Sequence, residues 1–303
     1  MTQRIFLFTA LLYLTCGICN HLSGQRFQSV RQAEDTLMSI LSDLNMAGSD
    51  SSKIHINQKF FDVLYSAITL SSSDNYPFDS LKTLVKISSP DQKFQIFQWN
   101  LPTSDGKHRY YGFIKVPDHD PPLIYRLVDM TDSLPAPDTL FLDNLHWLGA
   151  LYYKIIPGTT VSGRQIYTLL GWAGRNPMLT QKIIEILYFD ESDIPHFGLK
   201  LFPDYAGGNM TRIIFRFSAS TSMSMKYEKQ TISSDKRWNS KKRRFDFTLK
   251  EIQMIVCERL VPLDPDLEGQ YQFYVAAGDL FDGFTFINGR WTYTPGIDFL
   301  NRK

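Results

Sequence analysis

Cysteine is scarce in this chain: three occur in 303 residues, and Cys16 and Cys19 both fall within the first 24. A C-x-x-C can carry redox chemistry in a cytosolic thioredoxin-like protein, but a pair inside an apolar leader does not suit that role. Cys257 is then the lone thiol, set in the run Ile255-Val256-Cys257. It can make no internal disulfide and reads as a small buried hydrophobe. A chain of this size can dispense with disulfides because its core is large enough. Long apolar runs are also missing. Ile5–Cys19 is uncharged over 15 residues, short of the roughly 20 that a bilayer core requires. There is no excess of one charge either. Removing residues 1–24 takes away Arg4 and no acid, which leaves 31 Lys+Arg against 31 Asp+Glu. That balance argues against bulk attraction to nucleic acid or to an anionic membrane. Local catalytic signatures are absent too: no G-x-S-x-G elbow, H-E-x-x-H, Walker loop or G-x-G-x-x-G. Triads and carboxylate pairs assembled from distant positions are not excluded by this. With 31 acids available, nothing in the sequence selects a glycosidase pair.

What is present begins with an export signal. Met1–Arg4 supplies one positive charge, Ile5–Cys19 the apolar stretch, and Asn20–Gly24 a polar, small-residue exit. Cleavage is expected near Gln25. Leu14-Thr15 before Cys16 and Gly17-Ile18 before Cys19 do not make a good lipobox, so a secreted or periplasmic form is expected rather than a lipoprotein. The divisions read as residues 1–24 signal, 25–85 helical, and 86–303 antiparallel β.

The helical reading rests on Val30, Ala33, Leu37, Ile40, Leu41 and Leu44 at three- and four-residue steps, ending at the polar loop Gly48–Ser52. A second helix is predicted over Asn57–Leu70, with Asn57 as N-cap and Phe60, Phe61, Leu64, Ala67 and Ile68 on one face. From about Lys86 the period becomes 2. Strands are predicted over Phe94–Leu101, Arg109–Val116, Leu123–Asp129, Leu148–Ile156, Gln165–Trp172, Lys182–Phe189 (where a short helix also fits), Phe197–Phe202, Arg212–Phe217, Phe245–Leu249, Ile252–Arg259, Gln270–Val275, Gly283–Ile287 and Arg290–Thr294. Their Pro, Gly, Asn and Asp separators favour an antiparallel meander. The fold class is therefore α+β: an N-terminal helical segment on a large antiparallel β barrel or sandwich.

Two turns fix registers. Asn288-Gly289 suits a type I′ turn. It sets Ile287 opposite Arg290, Phe286 opposite Trp291, Thr285 opposite Thr292 and Phe284 opposite Tyr293, with four rings on one face. Asp105-Gly106, read the same way, sets Leu101 opposite Tyr110 and Trp99 opposite Gly112. Pro102 removes a ladder donor and belongs at a sheet edge.

Several side-chain groups could carry chemistry. His119, between Asp118 and Asp120, could bind a metal or move a proton, although Pro121-Pro122 and the two acids also make a solvated turn. His146 at a strand entry reads as a hydrogen-bonded structural residue. Asp264–Glu268 lacks the Gly-centred spacing of an EF-hand loop. No metal or cofactor is expected. Lys236, Arg237, Lys241, Lys242, Arg243 and Arg244, with Trp238 interleaved, form the strongest charge concentration. Trp238 and Lys241–Arg244 are the candidate contacts for an anionic partner, against the plainer reading of a solvated hairpin loop. Aromatics, 14% of residues, could stack on sugars, but sheets also enrich them for packing.

The phrases Phe97-Gln98-Trp99-Asn100-Leu101-Pro102, Asp105-Gly106-Lys107-His108-Arg109-Tyr110-Tyr111-Gly112, Leu151-Tyr152-Tyr153-Lys154-Ile155-Ile156, Leu170-Gly171-Trp172 and Leu267-Glu268-Gly269-Gln270-Tyr271-Gln272-Phe273-Tyr274 resemble conserved hypothetical exported proteins of Bacteroidota-type bacteria. The resemblance implies a Gram-negative envelope setting and no residue roles. The expected function is a non-enzymatic binding or structural module whose partner is an envelope component. The alternative is an envelope hydrolase acting on glycans.

Overall fold

The computed structural model describes residues 27–297, apart from the side chains of residues 233–237, 239 and 244–248. The expected signal at residues 1–24 and the cleavage point at Gln25 lie outside the described residues.

Two helices come first, α1 at Val30–Met46 and α2 at Asp50–Ile68. Ser29 accepts the Gln32 N–H and Ser49 accepts the Ser52 N–H, so each serine satisfies a donor that a helix start leaves unpaired. Because Ser49 takes the cap, α2 begins earlier than the expected start at Asn57, and the polar loop is shorter. Asn57 is instead buried within α2, where its side-chain oxygen accepts the Trp99 indole N–H at 2.8 Å.

Among the described residues, fourteen strands follow in three sheets. The first is a meander of β1 (Val85–Ser88), β2 (Gln95–Pro102), β3 (His108–Val116) and β4 (Leu123–Val128). The second holds β5 (Leu142–Asp143), β6 (Leu151–Thr159), β7 (Gln165–Asn176), β8 (Leu179–Phe189), β9 (Pro195–Phe197) and β10 (Ile213–Ser218). Its order is β5-β9-β8-β7-β6, and β10 also runs along β8. The third is a meander of β11 (Met225–Asn239), β12 (Arg244–Pro262), β13 (Tyr274–Ile287) and β14 (Arg290–Thr294). All named strand pairs are antiparallel and none of the three sheets closes into a barrel.

The layers stack as helices, first sheet, second sheet, third sheet. Alternation along β2 and β3 sends Phe97, Trp99 and Phe113 to the helices, where they meet Phe60, Phe61 and Leu64. The same alternation sends Ile96, Tyr110 and Ile114 the other way, onto Tyr152, Leu169 and Ile183 of the second sheet. The far face of the second sheet, with Ile166, Leu170 and Ile186, packs on Ile255, Phe284 and Trp291 of the third. Each such side chain contributes roughly 1.5–3 kcal/mol on burial. Polar ties cross the layers. The Gln98 amide donates to the Tyr152 carbonyl at 2.5 Å and accepts the Tyr152 N–H at 2.9 Å, imitating one rung of a ladder between two sheets.

The Asn288-Gly289 register is observed as expected, residue for residue, with positive φ at Asn288 and Gly289. The Asp105-Gly106 register is not. Leu101 faces Arg109 and Trp99 faces Tyr111, because only Gly106 has positive φ. A lone left-handed residue after a type I turn makes a three-residue loop, one residue longer than a type I′ turn. Pro102 does sit at an edge, since β1 pairs only with Gln95–Gln98 of β2. Lys182–Phe189 is strand, not helix. It is central and apolar on both faces, which produces a continuous apolar run. Phe245–Leu249 and Ile252–Arg259 are one strand, β12. The expected strand Phe197–Phe202 ends at Phe197, and Tyr271–Phe273 is a 3-10 turn before β13. Strand β11 was not expected.

Candidate functional site

A cleft of about 570 Å³ opens where the start of β3, the end of β4, the end of β7 and the first residue of α2 converge. The loop before β3 forms one wall. Asp105 accepts hydrogen bonds from Thr103 Oγ1 at 2.6 Å and from the Lys107 N–H at 3.2 Å. Asp50, at the start of α2, accepts from the Ser104 N–H and hydroxyl, so the helix tethers that loop. These bonds hold the carboxyls of Asp50 and Asp105 below the usual carboxylate range.

Asp129, just past β4, is committed in the same way. It accepts the Tyr110 N–H at 3.0 Å, the Thr131 N–H at 3.1 Å and the Thr131 hydroxyl at 2.5 Å. The Thr131 oxygen in turn accepts the Gly149 N–H. A Cβ on Gly149 would lie 2.6 Å from Tyr110 and 2.7 Å from Asp129, so this close approach needs glycine.

Arg175, at the end of β7, enters from the second sheet. Its Nε donates to Gln181 Oε1 at 2.6 Å and its Nη2 to the Gly149 carbonyl at 3.1 Å. Its guanidinium lies 5.8 Å from the Tyr110 ring centroid. No carboxylate among the described residues lies within ion-pair distance of it, and burial pushes its pKa down. Arg109 and Arg126 line the same cleft, both exposed and neither in an ion pair among the described residues; Arg109 donates to the Tyr111 hydroxyl and Arg126 lies over the Phe61 ring. Lys107 approaches Asp105 and Asp132 only at 4.0 and 3.9 Å. His108 accepts from the Asn100 amide through Nδ1, and burial lowers its pKa, so it is neutral at neutral pH with its proton on Nε2.

Formal charges in this lining balance, but hydrogen-bonding capacity does not. The oxygens of Asp50, Asp105 and Asp129 are engaged by Ser104, Thr103, Lys107, Tyr110 and Thr131, whereas Arg109, Arg126 and Arg175 line the cleft with no ion pair among the described residues. That is an acceptor-binding arrangement, suited to the planar oxygens of a carboxylate, sulfate or phosphate.

The residues singled out in the sequence lie elsewhere. Lys241, Lys242 and Arg243 are exposed in the turn between β11 and β12, and Trp238 is exposed near the end of β11. The Arg244 side chain lies outside the described residues. None of the other four lines the cleft. His119 pairs with Asp193 at 3.0 Å, not with its neighbours Asp118 and Asp120. His146 pairs with Asp143 at 2.8 Å, which also holds the His146 N–H. Asp264 caps a 3-10 turn. Among the described residues no cluster of metal-ligating side chains occurs, and no helix is long and apolar enough to cross a membrane. Cys257 is buried, and burial pushes its thiol pKa up. It is the only cysteine among the described residues, so no disulfide forms there.

Comparison with known proteins finds no matching family model, curated protein or solved structure. Geometry alone therefore carries the functional reading. Sequence reasoning missed Arg109, Arg126, Asp129 and Arg175 because they meet from separate strands. The nearest signal was Asp129-Met130-Thr131, a spacing that lets an aspartate accept from the residue two positions on.

Proposed function

We propose that this chain is an exported, non-enzymatic binding module of the cell envelope that holds the anionic group of an envelope component in the Arg175 cleft. One observation carries the reading: the Arg175 guanidinium is fixed by Gln181, Gly149 and Tyr110 and has no carboxylate partner among the described residues. A guanidinium already oriented on rigid strands loses little freedom when an anion arrives. The apolar run Ile5–Cys19 supports export. A glycan hydrolase would need an acid kept protonated beside the sugar. The carboxyls of Asp50 and Asp105 are instead pulled down. Glu185, which burial pushes up, is fully buried against Arg212 at 2.7 Å.

The test is equilibrium binding of tetragalacturonate and of polyphosphate to the chain from Gln25 onward. Saturable binding that weakens with salt is expected. It should fall at least about tenfold in both Arg175→Ala and Arg175→Lys, because lysine lacks the planar fork. Binding indifferent to Arg175, or turnover of the bound saccharide, would overturn the proposal.

A further inference from the structure

A second pocket, of about 380 Å³, lies between β10, the bulge of β12 and the 3-10 turn before β13. It shares no residue with the Arg175 cleft. Its walls are tyrosines. Tyr205 meets Tyr293 edge-on at 5.1 Å between centroids, and Tyr271 meets Tyr274 at 5.1 Å. Tyr271 is 42% exposed, with the Arg216 guanidinium 5.8 Å from its ring centroid. The hydroxyls of Tyr205 and Tyr271 make no hydrogen bond among the described residues, and burial pushes the Tyr205 pKa up to about 12, which keeps its proton in place as a donor.

The polar part of the lining is two fork-on-fork ion pairs. Arg216 donates to both oxygens of Asp138, at 3.3 and 2.6 Å. Arg259 donates through Nε to both oxygens of Asp282, at 3.1 and 3.2 Å, and through Nη2 to one of them. A third cation, Arg212, is fully buried against Glu185 and leaves its Nη2 without a hydrogen-bond partner among the described residues, and the third acid, Glu258, accepts the Ser224 N–H. An anion entering at either fork would have to displace a carboxylate from a bidentate partner, and a cation would have to displace a guanidinium. A hydroxyl does neither, because it accepts from the guanidinium edge and donates to the adjacent carboxylate at once. Paired donors and acceptors of this kind fit a vicinal diol, and a tyrosine face fits the C–H side of a pyranose ring.

We infer that the Tyr205–Tyr271–Tyr293 pocket binds a neutral saccharide, separately from the anionic group taken by the Arg175 cleft. The Arg–Asp forks set the hydroxyl contacts and Tyr271 closes over the ring face.

Saturation-transfer NMR on the chain from Gln25 onward, with maltotetraose, cellotetraose and chitotetraose as probes, tests this. Transfer to the C–H protons of at least one probe is expected. Its affinity should fall roughly tenfold or more in Tyr271→Ala, survive in Tyr271→Trp, and be unchanged in Arg175→Ala. Absence of transfer from all three probes, or transfer indifferent to Tyr271→Ala, overturns the inference. Loss in Arg175→Ala with none in Tyr271→Ala overturns it too, by assigning the saccharide to the cleft. Tyr271 is exposed and its hydroxyl is unbonded, so Tyr271→Ala should fold, and the Trp variant checks for general disruption.

Discussion

Trp291 is 1% exposed, and its indole N–H donates to Thr168 at 2.9 Å across the boundary between the second and third sheets. Of the four rings grouped by the Asn288-Gly289 turn, Phe284 and Trp291 are therefore wholly enclosed in the core, and Phe286 and Tyr293 are partly buried against it, Tyr293 at the edge of the tyrosine pocket. Trp291→Ala should cost about 3–5 kcal/mol in urea denaturation, from the lost ring contacts and the cavity left behind. Unchanged stability would mean that the ring is not seated there. Asp282 makes a different residue-scale prediction. Burial raises its pKa, but the Arg259 fork, the Gly296 N–H and the Tyr293 hydroxyl outweigh that and leave it lowered. A carboxyl lowered on folding adds stability that is complete above its unfolded pKa, and loses it as pH falls through the folded value. Asp282→Asn should therefore be less stable than the parent at pH 6, with the gap narrowing below about pH 4. A gap that stays constant down to pH 2 would show that the Asp282 charge contributes nothing.

At the scale of elements, legibility followed how local the deciding interaction is. The Asn288-Gly289 hairpin and the apolar faces of the helices were readable, because turn chemistry and period 3.6 act within a few residues. Asp105-Gly106 misled because aspartate need not take positive φ, and one residue of loop shifts every pair along β2 and β3. Strand β11 was invisible for the opposite reason. Only Met225 and Tyr227 at its start join the core between the second and third sheets. Beyond that, β11 and β12 pair with each other and no third strand covers them until Ile255 meets Phe284. A ribbon with so little to bury leaves no alternating pattern. The Arg175 cleft was unreadable as well, since it joins side chains from two sheets that only the fold brings together. Because Ser234 and Thr248 face each other, residues 235–247 can be replaced by Asn-Gly as a two-residue turn. The shortened chain should keep its melting temperature to within about 4 °C. A larger loss would show that the ribbon supports the core after all.

The whole molecule depends on layers that each cover another's apolar face. The first sheet shows this most sharply. Its inner face is satisfied by the second sheet, but on the outer face Phe97 packs on Phe78, and Trp99 and Phe113 pack on Phe60 and Phe61 of α2. Buried Lys115 adds a polar requirement on that side: it pairs with Asp74 and donates to the Ser73 hydroxyl and the Leu70 carbonyl, all in the segment after α2. A buried ammonium stripped of such partners is costly. The Trp99 indole N–H likewise has only Asn57 of α2. The helical segment is therefore one layer of a single cooperative unit, not an appended domain. A chain beginning at Ser71 should expose Trp99 and Phe113, orphan the Trp99 N–H and remove one Lys115 acceptor. It should aggregate on size-exclusion chromatography and lose its cooperative thermal transition. If it instead ran as a monomer with a sharp transition, the three sheets would be self-sufficient and the helices would be a cover that can be removed.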